Sequence, residues 1–105
     1  MIIIINRMDS KKDTAMAYGE IREQIGCRKV VVGAKQLRKA LISGSVHRVF
    51  LARNADPAMT EPIEALCKQK HVIYAWVRSM TDLGRACGIE VGAAAAAALN
   101  QVLPV

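Results

Sequence analysis

"VVVGAKQLRKAL", Val30 to Leu41, joins a run of β-branched residues to an amphipathic helical pattern through a single glycine. A short continuous apolar run of this kind is typical of a buried strand. At about 100° per residue, the apolar side chains of the following helix share one face and its basic side chains share the opposite one. A strand that passes directly into such a helix predicts an α/β domain.

The alternation of helix and strand continues on both sides of this segment. Upstream, "TAMAYGEIREQI" predicts a helix with Met16, Ile21 and Ile25 on one side and Gly26 at its end. "RKVVVG" predicts a buried strand, and Gly44 closes the helix that follows it. "VHRVFLA" and "HVIYAWV" predict two more strands.

Two further helices are predicted after these strands. Proline has no amide donor, so the first helix is expected to begin near Thr60, with Pro62 in its first turn. The second lies in "SMTDLGRACG", where Ser79 and Asp82 have the spacing of a capping box. Its inward-facing residues are predicted to be Met80, Leu83 and Cys87.

The alanine run Ala93 to Ala98 leaves the last element open. Helix propensity favours a helix. The preceding alternation, together with Val91, favours one more strand, which alanines can form only where both faces of the sheet are closely covered. With either ending, the element order predicts a sheet that has helices on both faces.

Length and charge limit the class of protein. A chain of 105 residues is sufficient for one domain with a modest core. The net charge of +6 favours polyanionic partners. The apolar stretches near both ends are too short for a signal peptide or a membrane span, so we expect a soluble cytoplasmic protein. Residues 1–13 are predicted to form a flexible N-terminal arm, and residues 14–105 a single domain.

No catalytic or metal-binding constellation is recognisable. Cys27, Cys67 and Cys87 have no paired spacing, which predicts reduced thiols. His47 and His71 precede apolar runs and are expected at strand edges rather than on a metal. No carboxylates, histidines or cysteines pair as acid–base catalysis requires, so we predict no enzyme activity, no cofactor and no metal.

Gly33 opens the basic helix, and the free N–H groups of a helix start attract anions. The segment lacks the glycine spacings of nucleotide-binding loops. For a nucleic acid, Lys35, Arg38 and Lys39 would meet phosphates, while Lys35 and Gln36 would reach base edges. A solvated basic face explains the same charges, and charge alone leaves both interpretations open. The scarcity of aromatic residues favours structured RNA over single strands.

"VVVGAKQLRKALISGSVHRVFLARNADP", followed by "SMTDLGRACGIEVGAAAAAAL", resembles the L7Ae type of ribosomal protein, in the kink-turn RNA-binding superfamily. The likeness is to its short bacterial members and covers Tyr18 to Leu99. It implies a three-layer α-β-α sandwich with a four-stranded mixed sheet, in which the alanine run is a strand. It also implies binding where an RNA duplex kinks at a bulge beside tandem sheared G·A pairs.

The resemblance places the RNA-binding residues in two segments. At the helix start, Gly33 would permit close approach of the RNA backbone, and the basic and amide side chains after it would contact guanine edges and phosphate. The loop Ile89 to Val91 would pack under the bulged nucleotides, and Glu90 would help to hold it. Arg38 and Arg48 are weaker candidates for a phosphate contact, from charge and not from the motif. The implied RNA-binding set is Gly33, Ala34, Lys35, Gln36, Arg38, Lys39, Ile89, Glu90 and Val91.

One departure affects specificity. Lys35 and Gln36 stand where the archaeal and eukaryotic branches of the family generally have Asn and Glu. Gln36 can still accept a guanine N–H through its carbonyl oxygen, but without a full charge the contact should be weaker. Lys35 adds electrostatic affinity with less orientation than an amide gives.

The resulting expectation is a monomeric, cytoplasmic, bacterial RNA-binding protein that stabilises kink-turn-like RNA. Its setting would be ribosomal or ribosome-associated, and its partner a ribosomal or riboswitch-like RNA. The alternative is a protein-interaction module on the same fold that has only non-specific RNA affinity.

Overall fold

A computed structural model describes residues 15–103 of the chain. Within that range the chain forms an alternating series of helices and strands. The helices are α1 (Tyr18–Ile25), α2 (Ala34–Ser43), α3 (Pro57–Lys70) and α4 (Met80–Ala86). The strands are β1 (Arg28–Val32), β2 (Val46–Ala52), β3 (Tyr74–Val77) and β4 (Ala95–Val102).

The four strands form one mixed sheet in the order β1-β4-β2-β3. β4 pairs antiparallel with both β1 and β2, and β2 pairs parallel with β3. Helices α1 and α4 cover one face of this sheet, and α2 and α3 cover the other. The three-layer sandwich with a four-stranded mixed sheet is therefore confirmed.

Ala95 to Ala98 form the first half of the inner strand β4, so helix propensity gives the wrong answer and the family resemblance the right one. Ala93 and Ala94 precede the strand. Ala95 to Ala98 are at most 3% exposed. Ala96 and Ala98 lie in the cluster beneath α1 and α4, while Ala95 and Ala97 lie in the cluster beneath α2 and α3. Burial on both faces by close helices explains why small side chains occupy this strand.

The predicted core faces of the helices are buried. Ile21 and Ile25 of α1 are in the first cluster, and Leu83 of α4 packs beside them. The buried residues of α2 are Leu37, Ala40 and Leu41, as its periodicity predicts. Gly44 ends α2 in the left-handed conformation, and the Ser79 hydroxyl caps α4 by accepting from the Asp82 N–H at 3.1 Å.

Two predicted helix starts and one predicted burial are wrong. Helix α1 begins at Tyr18, because Met16 instead forms a β-bridge in which its N–H donates to the Trp76 carbonyl at 3.0 Å. Helix α3 begins at Pro57, where the Asp56 carboxylate caps it, so Pro62 lies inside the helix. Strand β1 is at the edge of the sheet and is half-buried rather than buried.

The histidines differ from each other. His47 lies in β2, but His71 caps the end of α3 with a φ of 59°, so β3 starts three residues later, at Tyr74. Cys27, Cys67 and Cys87 are free thiols. None of the helices between residues 15 and 103 combines the length and apolar character needed to cross a bilayer. The predicted arm, residues 1–13, lies outside the described residues, and the division into arm and domain stays a prediction.

Candidate functional site

The strand topology brings both predicted site segments to one end of the sheet. β1 ends where antiparallel β4 begins, so Val32 pairs with Ala96. The Gly33 N–H extends this pairing by donating to the Ala95 carbonyl at 3.3 Å. The start of α2 therefore lies beside the segment that follows the loop Ile89 to Val91.

Gly33 turns the chain from β1 into α2 with a backbone that favours glycine. Residues with a side chain rarely adopt its φ of 102°, and no atom of residues 15–103 lies within 4 Å of the position that a Cβ would take. The Gly33 carbonyl accepts from the Leu37 N–H at 2.9 Å and so begins the helix. The first turn of α2 thus faces open space with N–H groups that have no partner within the helix.

The polar side chains at the start of α2 all point away from the core. Lys35, Gln36, Arg38 and Lys39 are exposed, whereas Ala34 is half-buried. The first turn carries no acidic residue. A cation near the positive end of the helix dipole is unfavourable by ~0.3–1 kcal/mol, and a bound anion would relieve that repulsion.

The second segment is a short loop held against α4 by backbone hydrogen bonds. The Ile89 N–H donates to the Gly84 carbonyl and the Ala93 N–H to the Met80 carbonyl, both at 3.0 Å. Ile89 packs into the core, whereas Val91 is 71% exposed.

Glu90 does not hold the loop as the resemblance implies. Its side chain is exposed and makes no hydrogen bond with any residue in the range 15–103. The backbone bonds at Ile89 and Ala93 perform that task.

Gly84 allows the loop to approach α4, and sequence reasoning missed it. A Cβ on Gly84 would lie 2.1 Å from the Val91 carbonyl oxygen. Such a contact is far shorter than real Cβ atoms show, so only glycine fits this helix position without moving the loop. A glycine inside a predicted helix, here in "DLGRA", is the signal that could have identified it.

Two side chains from other elements fix α4 in place beneath the loop, and neither was identified from sequence. The Asn54 Oδ1 accepts from the Met80 N–H at 2.9 Å, at the start of α4. The Arg22 guanidinium donates to the Ala86 carbonyl at 3.1 Å, at its end. The loop therefore rests on a helix that is anchored at both ends.

A small apolar cavity of about 210 Å³ lies between the start of α2, α3 and residues 92–95, which follow the loop. It is open to solvent beside the first turn of α2. Its lining residues are Val32, Gly33, Ala34, Met59, Ile63, Gly92, Ala93, Ala94 and Ala95. The cavity shows that the start of α2 and residues 92–95, which follow the loop, form one continuous surface.

Arg48 lies outside this surface. It pairs with Ala98 in the sheet, whereas Gly33 bonds Ala95 at the other end of the same strand. Sequence reasoning grouped Arg48 with the α2 side chains by charge, but the topology separates them. Arg38 remains on the exposed face of α2.

The described residues offer no evident catalytic group. No three His, Cys, Asp or Glu side chains between residues 15 and 103 are grouped as a metal ion would require. Burial raises the pKa of Cys67 to about 11, with the Glu64 charge adding to the effect. Burial also raises the pKa of Cys87 to about 11, against the opposing charge of Arg22. Neither thiol has the lowered pKa of a nucleophilic cysteine.

Several known proteins are similar to this chain in sequence and in fold. Residues 15–102 match the sequence profile of the ribosomal protein L7Ae/L30e/S12e/Gadd45 family. An RNA-binding protein of Bacillus pumilus is 43% identical over 82 residues, which are 78% of this chain and 96% of that protein. The RNA-binding protein YbxF of Geobacillus stearothermophilus is 42% identical over 72 residues, 69% of this chain and 88% of that protein. The 15.5kD RNA-binding protein of Giardia lamblia superposes with a TM-score of 0.69 at 26% identity, covering 77% of this chain and 68% of that structure.

Proposed function

This chain belongs to the ribosomal protein L7Ae/L30e/S12e/Gadd45 family, and from that premise we propose that it binds structured RNA and stabilises kink-turns. The names of its relatives in Bacillus pumilus and Giardia lamblia, both RNA-binding proteins, support the general activity. The RNA would bind where α2 begins and where the loop Ile89 to Val91 lies beside it.

One observation carries this proposal most strongly. The start of α2 presents unpaired N–H groups and exposed basic side chains with no acidic residue in the first turn. Such an arrangement is poorly stabilised without an anion, and it suits a nucleic acid that offers both phosphates and base edges.

The side chains divide the work by their chemistry. The Gln36 carboxamide can accept from a guanine N–H, and the Lys35 ammonium can donate to guanine O6 and N7. Lys39, one turn further along α2, would reach guanine or a nearby phosphate. Val91, exposed on the loop, would cover the bulged nucleotides with apolar surface.

Binding would change the RNA more than the protein. Free kink-turn RNA would sample extended and kinked forms, and a protein that binds the kinked form better shifts the population towards it. The rigid attachment of the loop to α4 suits the protein to act as a preformed template.

A comparison of two RNAs tests the proposal. The kink-turn duplex carries a bulge and tandem G·A pairs, and the paired duplex has the same sequence with those pairs made Watson–Crick. We expect at least a tenfold preference for the kink-turn duplex, ~1.4 kcal/mol, at near-physiological salt. Equal affinity for both RNAs would refute kink-turn recognition and favour the protein-interaction module.

A pair of matched double variants tests the site. Replacing Lys35 and Lys39 with alanine should reduce kink-turn affinity by several kcal/mol, at ~1–3 kcal/mol for each good base contact. The control replaces Lys68 and Lys70, which are exposed near the far end of α3, roughly 17 and 20 Å along the helix from its start. Both variants lose the same charge, so equal losses of affinity would contradict the site assignment.

We also infer a ribosomal or ribosome-associated setting in the cytoplasm, which the family's description as ribosomal proteins supports. Sedimentation of a cell lysate tests it. The protein should travel with ribosomal particles at low salt, and its absence from every particle fraction would contradict this setting.

A further inference from the structure

A second basic cluster lies at the opposite end of the sheet from the start of α2. Arg28 opens β1 and Arg48 lies near the start of β2, with β4 between them. The Arg28 Nη1 donates to the carbonyls of Leu99 at 3.4 Å and Asn100 at 3.0 Å, which brings its guanidinium over β4.

Both arginines lie beside the same stretch of β4. Arg48 and Phe50 pair in regular register with Ala98 and Ala96, so the Arg48 side chain has the orientation of Phe50. Phe50 packs in the cluster beneath α1 and α4. Ala98 of β4 pairs with Arg48 itself, immediately before the carbonyls that Arg28 contacts.

The shape of β4 explains why Arg28 can reach across. The register between β1 and β4 shifts between Arg28 and Val30, and the register between β2 and β4 shifts between Val46 and Arg48. The Leu99 and Asn100 carbonyls lie in this irregular stretch, and both accept from Arg28.

The part of the chain that the structure describes supplies no counter-charge to this cluster. No carboxylate in the range 15–103 forms an ion pair with Arg28 or Arg48. The Arg48 Nε is buried and has no hydrogen-bond partner among residues 15–103. A buried donor without an acceptor is costly, and when it belongs to a guanidinium beside a second cation, an anion is the partner that relieves both problems.

We propose that Arg28 and Arg48 together bind a phosphate of the RNA backbone, as a second contact outside the kink-turn site. This inference rests on the proposed function, because RNA supplies the phosphate. A guanidinium group can donate two parallel N–H bonds to a phosphate. The Leu99 and Asn100 carbonyls use only the Nη1 of Arg28, so its other N–H donors remain for a phosphate. The contact would extend the RNA footprint along the sheet by the four residues from Ala95 to Leu99, roughly 13 Å.

His47 is a natural reporter of this site. Its pKa lies below the ordinary value, first through desolvation and then through the charges of Arg28 and Arg48. A phosphate bound at the two guanidiniums would offset those charges and raise the pKa of His47. Its imidazole signals can be followed by NMR across a pH titration, with and without RNA.

The binding test uses the two RNAs defined above and the full chain. Arg28→Gln/Arg48→Gln should weaken binding to both RNAs by about fivefold, ~1 kcal/mol, and leave the ratio between them unchanged. The control Lys68→Gln/Lys70→Gln removes the same charge elsewhere on the surface and should weaken binding less. Wild-type affinity of the arginine variant for both RNAs would overturn the inference.

The outcomes separate this inference from the proposed function. The ratio between the two RNAs tests kink-turn recognition, whereas the arginine variant's loss of affinity tests the second contact. Arg48→Lys retains the charge without the Nε–H and serves if the double variant does not fold. It should lose affinity relative to wild type, and RNA should raise the pKa of His47 in the wild-type protein. No change in that pKa on adding RNA would overturn the second contact even if affinity falls.

Discussion

Gly84→Ala tests how the candidate site is built. The new Cβ would lie 2.1 Å from the Val91 carbonyl oxygen, and ordinary contact begins at 3.4 Å. The loop and α4 must therefore separate by about 1.3 Å, the difference between these two distances. Overpacking of this kind costs ~1–3 kcal/mol, partly offset by the ~0.5–1 kcal/mol that alanine contributes over glycine within a helix.

The matched control is Gly19→Ala in α1, where none of the described residues has an atom within 4 Å of the new Cβ. This variant gains up to ~1 kcal/mol without a clash. Urea unfolding of the two proteins should differ by ~1–3 kcal/mol, with Gly84→Ala the less stable. The comparison removes most of the effect of helix propensity and leaves the cost of moving the loop.

RNA binding gives the second measurement on the same pair. Displacing Ile89 to Val91 by about 1.3 Å should reduce kink-turn affinity about tenfold, ~1.4 kcal/mol, because the loop would no longer be positioned to contact the bulged nucleotides. Gly19→Ala should bind as wild type. If Gly84→Ala is as stable as Gly19→Ala and binds RNA equally well, the loop is not held as described.

Three further predictions concern stability and the cysteines. Asp56→Ala should lower the free energy of unfolding by ~1 kcal/mol, because it removes the carboxylate that caps α3 by accepting from the Ala58 N–H at 2.9 Å. Its RNA affinity should be unchanged. A free energy of unfolding in urea equal to that of the wild type would contradict this prediction. Alkylation of the native protein near neutral pH, followed by mass spectrometry, should label the exposed Cys27 and spare Cys67 and Cys87, whose pKa values are about 11. Rapid labelling of all three cysteines would contradict the protection of Cys67 and Cys87. The free energy of unfolding should fall as pH rises from about 9 towards about 11, because the Cys67 and Cys87 thiols ionise in the unfolded chain before they do so in the folded protein. A free energy of unfolding in urea that stays constant over this pH range would contradict the raised pKa values.

Periodicity predicted most of the helices because a buried face leaves a local pattern. The segment Ala34 to Ser43 shows this well, since each residue predicted to face the core is buried and Gly44 ends the helix. The alanine run shows the limit of that approach. Its strand conformation depends on pairing with β1 and β2 and on packing against the helices on both faces. The propensities of single residues carry no information about these contacts.

Sequence predicts the part of the candidate site that depends on local pattern, and not the contacts between distant segments. The exposed cations of α2 follow from its own sequence, so their orientation could be predicted. The pairing of Gly33 with Ala95, and the contact of Gly84 with Val91, join residues distant in the chain. Only the sheet order shows that Arg48 lies at the opposite end from Lys35.

The central claim is that this surface holds RNA in its kinked form, and energy transfer between fluorophores on the two stem ends of a kink-turn duplex tests it most directly. Adding protein should increase transfer as the stems approach, with no increase for the paired duplex. The Lys35→Ala/Lys39→Ala variant should need a much higher concentration for the same change. Saturating binding with no change in transfer, or the same change with the paired duplex, would contradict the claim.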